Sequence, residues 1–231
     1  MDIEHTFPHV VFHLWGVPVR DTVSVTWVIM LVVTFVSWLG TRKLSDHPGP
    51  IQNGLEASLE LVEGAIRELT HFSPGHFLPL IGTLAIFLVA CNSVSMFPGV
   101  GAPTRDINTT AALAVVVFFS VHFYGLWLAG PKRYLRNYIK PFWLLLPFNV
   151  IGEVTRTVAL AIRLFGNTLS GEVIVAILLG LAGFLVPVPM QIFGLLIGLI
   201  QAYVFSLLSM VFIVAGLNGS EPLRSVEGGS A

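Results

Sequence analysis

Two acidic and two basic side chains interrupt an apolar stretch of the chain between residues 142 and 184. In chain order they are Glu153, Arg156, Arg163 and Glu172. An arginine in the middle of a membrane helix costs roughly 2.5–3.5 kcal/mol even on mild insertion scales, so it should face a cavity or a partner rather than lipid. Carboxylates can take up and release protons, whereas a guanidinium stays charged and lowers the proton affinity of an acid brought close to it. The stretch therefore predicts a site for ion transfer.

Helical geometry sharpens this prediction. With about 100° between successive residues, Arg156 and Asn167 lie within about 40° of Arg163 and share one stripe with it. Glu172 lies about 180° away and about 13 Å further along, and Glu153 lies a similar distance toward the other end. The pattern indicates two water-filled half-paths, one for each acid, with Arg163 as the barrier between them. A polar helix–helix seam, in which Arg163 pairs with an acid elsewhere in the chain, is the structural alternative.

The composition indicates the environment of this site. The chain has 231 residues, of which 55% are hydrophobic and only 11% are charged, while soluble domains carry about 25% charged residues. We therefore predict a single integral membrane domain over residues 1–231. The net charge of −1 and the lack of a basic cluster argue against a nucleic-acid partner. The one cysteine, Cys91, lies in an apolar run and is predicted to be a buried, inert thiol. An acidic start, with Asp2 and Glu4, does not resemble a removable signal peptide.

Apolar runs predict an all-α polytopic fold with about five transmembrane helices. Their ranges are 22–40, 77–98, 107–130, 142–184 and 190–217. The fourth range is awkward, because about 40 helical residues are about 60 Å long, twice the thickness of the hydrocarbon core. It must be steeply tilted, broken, or extend beyond the bilayer. Apolar residues at three- and four-residue steps predict an amphipathic surface helix over 50–72, and residues 218–231 form a polar C-terminal tail.

The polar face of this surface helix has two interpretations. It is acidic, which argues against an anionic-lipid anchor and for a protein contact. It can equally be a solvated face on which Glu63 and Arg67 pair at i, i+4.

Basic residues predict the orientation of the chain. With the N-terminus outside, eight of the 12 Lys and Arg residues fall on the inner side, and only Arg20 and Arg105 fall on the outer side. Cytoplasmic loops are enriched in Lys and Arg, so we predict an outer N-terminus and a cytoplasmic C-terminus.

Several motifs, in register along nearly the whole chain, resemble the a subunit of F-type ATP synthases. The run RLFGNTLSGE, residues 163–172, resembles the family signature, and LIQAYVFSLL carries a glutamine, Gln201, similar to that of the family's last helix. QNGLEASLELVEG, NSVSMFPG and RDINTTAALA are similar to other landmarks in the expected order. Two positions depart from the pattern, since many members have proline and serine in place of Thr157 and Ala159. The resemblance implies a long, tilted helical hairpin that faces a rotating ring of c subunits.

The resemblance also implies roles for the central residues. Arg163 matches the essential arginine opposite which each c-ring carboxylate loses its proton. Gln201 matches the glutamine that helps to hold this arginine, although it could equally make an interhelical hydrogen bond. Asn167 and Glu172 match polar residues of the outer half-channel.

Three further residues have two interpretations each. Asp106 either lies near the mouth of the outer half-channel or is an ordinary acid at a helix N-terminus. Glu153 either lies in the inner half-channel or pairs with Arg156. His122, in the middle of a predicted span, is either a structural hydrogen-bonding residue or a proton relay.

The function implied is ion conduction, of protons or sodium ions, that couples flow through the membrane to rotation and ATP synthesis. The chain would have no catalytic centre of its own, and it carries no phosphate-binding motif, metal site or other cofactor signature. The partners implied are the c-ring, the b subunits of the peripheral stalk and the lipid bilayer of a bacterial plasma (inner) membrane. The alternative is a self-contained secondary ion-coupled transporter, which would favour paired inverted repeats; none is visible.

Overall fold

A computed structural model describes residues 10–14, 17–41, 50–70, 74–96, 100–132, 146–183 and 186–218. Two short strands come first: β1 (Val10–Leu14) and β2 (Val17–Arg20). Six helices follow: α1 (Asp21–Thr41), α2 (Pro50–Leu69), α3 (Leu78–Val94), α4 (Ile107–Ala129), α5 (Leu146–Ala182) and α6 (Pro187–Asn218). Single 3₁₀ turns at Pro74–His76 and Pro103–Arg105 precede α3 and α4. The predicted all-α membrane architecture is confirmed.

The strands form an antiparallel hairpin that the sequence did not predict. Leu14 pairs with Val17 beside the turn, and an irregularity between Val10 and Phe12 shifts the register further along. Pro18 has no backbone N–H to donate, which is tolerated because a two-stranded ribbon has only edge strands. The hairpin ends at Arg20 and leads directly into α1, which begins at Asp21.

Four of the described helices, α1, α4, α5 and α6, are long and apolar enough to cross a membrane. The remaining predicted span, 77–98, corresponds to α3, which is apolar but has 17 residues and a length of about 26 Å. The predicted tail lies outside the described residues, apart from Asn218 at the end of α6.

Helix α5 has 37 residues and is about 55 Å long. Its length follows from where prolines fall: Pro147 lies in the first turn, where a missing N–H is harmless, and the next proline in the chain is Pro187. The helix ends just before Gly183, whose φ of 69° is the left-handed conformation typical of a C-terminal cap. The structure therefore contains the unusually long helix that the sequence predicts for this span.

The helices pack around two buried apolar clusters. One joins α2, α3, α4 and the C-terminal half of α6 through residues that include Val62, Ile81, Val121 and Met210. The other joins α3, α4, α5 and α6 through residues that include Leu88, Val117, Leu164 and Phe205. Most of α5 lies outside these clusters, so one long face of it is exposed.

The amphipathic helix α2 buries Val62 and Ile66 against α3 and α6. On its polar face the guanidinium of Arg67 lies 2.7 Å from the carboxylate of Glu63. The predicted i, i+4 pair is thus confirmed, and at an exposed position such a pair contributes only about 0.3–0.5 kcal/mol.

A close contact between α3 and α6 fixes the position of α6 along α3. The amide nitrogen of Asn92 donates a 3.0 Å hydrogen bond to the backbone carbonyl of Gly198. A Cβ atom on Gly198 would lie 2.9 Å from the Asn92 side chain, so a residue without a side chain is needed there. Nearby, Cys91 is fully buried, as predicted.

Candidate ion-translocation site

Arg163 lies near the middle of α5, and its side chain is exposed on the outer face of the helix. Large apolar side chains elsewhere on this helix, such as Val158, Ile162 and Ile174, are themselves exposed. Among the residues that the structure describes, Arg163 makes no hydrogen bond or ion pair. A permanent charge on an apolar membrane surface needs a counter-charge, which here must come from outside the described residues. This observation disfavours the seam alternative within the described part of the chain.

Asn167 and Gln201 lie near Arg163 in different ways. Asn167 is half-buried one turn further along α5. Leu164 packs in one cluster with Ala202 and Phe205, so Gln201 and Arg163 both neighbour residues of the same α5–α6 contact. The amide nitrogen of Gln201 is buried and makes no hydrogen bond within the described ranges. The structure therefore places Gln201 and Arg163 beside the same α5–α6 contact. The amide N–H groups of Gln201 are available there as hydrogen-bond donors.

Glu172 points inward, on the opposite side of α5 from Arg163, as the helical geometry requires. Its carboxylate accepts a 2.8 Å hydrogen bond from the backbone N–H of Ala102. It also lies 3.3 Å from the guanidinium of Arg105, whose side chain is only 5% exposed. The same guanidinium lies 2.5 Å from the carboxylate of Asp21 at the start of α1. Arg105 thus joins two acids, and through them α1 and α5.

Gly101 makes this arrangement possible. The Arg105 guanidinium lies directly against the backbone of Gly101, so a Cβ atom at that position would overlap it. A side chain there would push Arg105 away from Glu172. We call Asp21, Arg105 and Glu172 the outer charge cluster.

Asp106 caps the N-terminus of α4 and is nearly fully buried. Its carboxylate accepts hydrogen bonds from the backbone N–H of Asn108 at 3.0 Å and from the Thr22 hydroxyl at 2.9 Å. Arg20 donates to both carboxylate oxygens at 3.2 Å. The residue is thus an acid at a helix N-terminus, and it additionally ties α4 to the β2–α1 junction.

The pKa of Asp106 is set by opposing effects. Burial raises it, but the hydrogen bonds from the backbone of Asn108, from Thr22 and from Arg20, with the charge of Arg20, leave the pKa below its ordinary value. The folded protein therefore binds this proton less readily than the unfolded chain, whose aspartates titrate near about 3.9. Stability from Asp106 is fully present above that pH and is lost as the pH falls through the lower, folded pKa.

We expect Asp106→Asn to weaken the fall of folding stability with decreasing pH. The amide keeps the shape of the cap but cannot titrate, so the variant should be less stable than the parent at neutral pH and should lose less stability on acidification. Thermal unfolding of the purified protein in detergent, followed from pH about 7 to about 3, measures this. Glu63→Gln, which removes a surface acid paired only with Arg67, is the matched control. An equal loss of stability on acidification in Asp106→Asn and in the parent would contradict this assignment.

Glu153 lies toward the other end of α5, and it contacts an imidazole on another helix. Its carboxylate is 3.7 Å from Nε2 of His122 on α4. Arg156, predicted as the alternative partner, places its guanidinium 5.8 Å from the ring centre of Phe212 on α6. Glu153 is therefore separated along the helix from Glu172, and each acid has its own surroundings.

The most important residue that sequence reasoning missed is Arg105. The sequence marks it only as a basic residue of the outer side and does not predict its pairing with Asp21 and Glu172. A signal is available, because the predicted orientation leaves only Arg20 and Arg105 as outer cations beside four outer acids, Asp2, Glu4, Asp21 and Asp106. With so few cations on that side, each is a candidate partner for a buried acid.

Comparison with known proteins agrees with the motifs. Residues 23–214 match the ATP synthase A chain family. ATP synthase subunit a 2 of Pelobacter propionicus is 41% identical over 93% of this chain and 94% of its own length. ATP synthase subunit a 2 of Bradyrhizobium sp. is 44% identical, with 89% and 92% covered, and that of Acaryochloris marina is 45% identical, with 89% of each covered. The chain therefore belongs to the ATP synthase A chain family.

Proposed function

We propose that this chain is the ion-conducting stator subunit of a rotary ATP synthase in a bacterial inner membrane. It carries protons through two offset half-channels to and from the carboxylates of a c-ring and is anchored by the b subunits of a peripheral stalk. The observation that carries this proposal is the guanidinium of Arg163, which is exposed and has no partner among the described residues.

The face of α5 around Arg163 suits a ring of helices. Small residues, Gly152, Ala159, Gly166 and Ser170, lie within about 60° of Arg163 on the helical wheel. Small side chains let another membrane helix approach closely. A carboxylate on that helix would then reach the guanidinium, which stabilises the charged form of the acid and so promotes loss of its proton.

The two acids of α5 supply the half-channels. Glu172 is packed against the loop 101–106, near the start of α1, and would serve the outer path with Asn167 and Asp106. Glu153 would serve the inner path. The two carboxylates lie 19 residues apart, or about 28 Å along the helix, with Arg163 between them. Protons reaching the middle from either side would therefore meet the ring rather than each other.

Reconstitution tests this function against the alternative of a self-contained transporter. We expect the chain alone in liposomes to carry no ion flux, because its Arg163 lacks the ring carboxylates. Assembled with its ring and the catalytic subunits, it should support ATP-driven acidification of vesicles in sodium-free buffer. The ring-forming subunits should co-purify with it. Substrate-coupled transport by the isolated chain would overturn the proposal.

Orientation is tested by labelling in intact cells. We propose an outer N-terminus and a cytoplasmic C-terminus, which places the exposed Lys132, after α4, inside and the exposed Val100 outside. In a Cys91→Ala background, Lys132→Cys should react with a membrane-impermeant maleimide only in inverted vesicles. Val100→Cys is the matched control and should react only in intact cells. The reverse pattern would show that the orientation is wrong.

A further inference from the structure

His122 is held in one tautomer by its own helix. Its Nδ1 lies 2.9 Å from the backbone carbonyl oxygen of Phe118, which can only accept a hydrogen bond, so Nδ1 must carry a proton. The rings of Phe118 and His122 also pack with their centres 4.5 Å apart, which fixes the plane of the imidazole. In the neutral side chain, therefore, the lone pair is on Nε2.

That lone pair faces a carboxylate. Nε2 of His122 is 3.7 Å from Oε2 of Glu153, and both side chains are largely shielded, with 32% and 16% exposed. Two acceptors that face each other repel in a low-dielectric environment, and one proton placed on either atom turns the repulsion into attraction. The pair is thus built to hold one proton, which it can exchange at Nε2.

A small cavity adjoins Glu153. It measures about 10 Å³ for the centre of a water molecule, close to the minimum of about 10–15 Å³ that one water needs. Its lining includes Phe118 and Val121 from α4, Glu153, Arg156 and Thr157 from α5, and Phe212 from α6. The 3.7 Å separation between His122 and Glu153 exceeds the usual range of about 2.7–3.2 Å for N–H···O bonds, and a small side-chain rotation would complete the contact.

We infer that His122 and Glu153 form a single proton-carrying site on the inner half-path, in which Nε2 of His122 is the atom that gains and loses the proton. In the direction of synthesis, a ring carboxylic acid gives up its proton, directly or through water, and becomes a carboxylate, while neutral His122 becomes an imidazolium beside Glu153. Nε2 then passes the proton to water on the inner side. This inference rests on the proposed function.

The test measures ATP-driven pumping and passive proton flux of the assembled enzyme in vesicles. We expect His122→Gln and Glu153→Gln each to lower both rates by about a hundredfold or more, as expected for loss of a positioned proton-transfer group. The double variant should be no worse than either single variant, because the two residues act as one unit. Ser120→Ala on the same helix removes an exposed hydroxyl that donates to the Val116 carbonyl of its own helix, and it should leave both rates unchanged.

An exchanged variant separates proton transfer from a structural role. The variant His122→Glu with Glu153→His keeps one imidazole and one carboxylate at this contact, so it should recover pumping above both single variants. No recovery in the exchanged variant would overturn the inference.

The outcomes also separate this inference from the proposed function. If Arg163→Ala loses coupled pumping while His122→Gln pumps normally, the inner proton site is wrong and the function stands. If Arg163→Ala pumps normally, the function itself is wrong.

Discussion

Replacing Arg163 by alanine is expected to abolish ATP-driven proton pumping, by roughly a hundredfold or more, the size seen when one preorganised charge-stabilising group is removed. Without the guanidinium, nothing would stabilise the ring carboxylate in its charged form between the two half-channels. Protons bound to the ring could then pass from one path to the other. Passive proton flux in the absence of ATP should therefore persist or rise while coupled pumping is lost.

Arg163→Lys should fail as well. An ammonium on a flexible chain lacks the planar, two-pronged geometry of the guanidinium and can lose its proton where it is poorly solvated. Both variants should still assemble, because the Arg163 side chain projects away from the buried clusters. Arg67→Ala, which removes an exposed arginine from the surface helix α2, is the matched control and should pump normally. Coupled pumping close to the parent rate in Arg163→Ala would contradict the mechanism, and loss of assembly in both variants would favour a structural role.

Replacing Arg105 by leucine is expected to destabilise the protein severely. Its side chain is 5% exposed and lies between the carboxylates of Asp21 and Glu172. Removing one member of a buried ion pair typically costs about 3–5 kcal/mol, because the remaining charge stays buried without compensation. Here two acids would be left facing each other. We expect a large fall in the thermal unfolding temperature and in the yield of assembled enzyme.

Neutralising the two acids separates stability from ion flow. The triple variant Arg105→Leu, Asp21→Asn, Glu172→Gln contains no uncompensated charge, so it should recover much of the stability lost in Arg105→Leu. Its pumping should remain slow, because the amide at position 172 cannot take up a proton. Glu172→Gln alone should keep the fold, since Arg105 still pairs with Asp21, and should also pump slowly. Normal pumping in Glu172→Gln would assign that residue a purely structural role.

The features that sequence predicted well are those fixed within one helix. Arg163 and Glu172 fall on opposite faces of α5 because nine residues are two and a half turns of any α-helix. The pair Glu63–Arg67 follows from the same geometry over a single turn. The length of α5 follows from the positions of its prolines. Each of these predictions required only the local repeat of the backbone.

The features that sequence could not supply depend on contacts between distant segments. Arg105 pairs with Asp21, 84 positions away, and with Glu172, 67 positions away. Such pairings require the loop before α4 to be folded against two helices at once, with Gly101 leaving room for the guanidinium. The contact between His122 and Glu153 likewise depends on the angle at which α4 and α5 cross. No local periodicity encodes either geometry.

The length of α5 has a mechanical consequence. A helix of about 55 Å that stays within a hydrocarbon core of about 30 Å must lean by more than about 50° from the membrane normal. On a helix with this tilt, the displacement from Glu153 to Glu172 would be about 24 Å parallel to the membrane and only about 15 Å across it. In the proposed mechanism, a proton that enters beside one acid and leaves beside the other crosses this horizontal distance while it is bound to the ring. The tilt of α5 would then convert a potential across the membrane into movement parallel to the membrane.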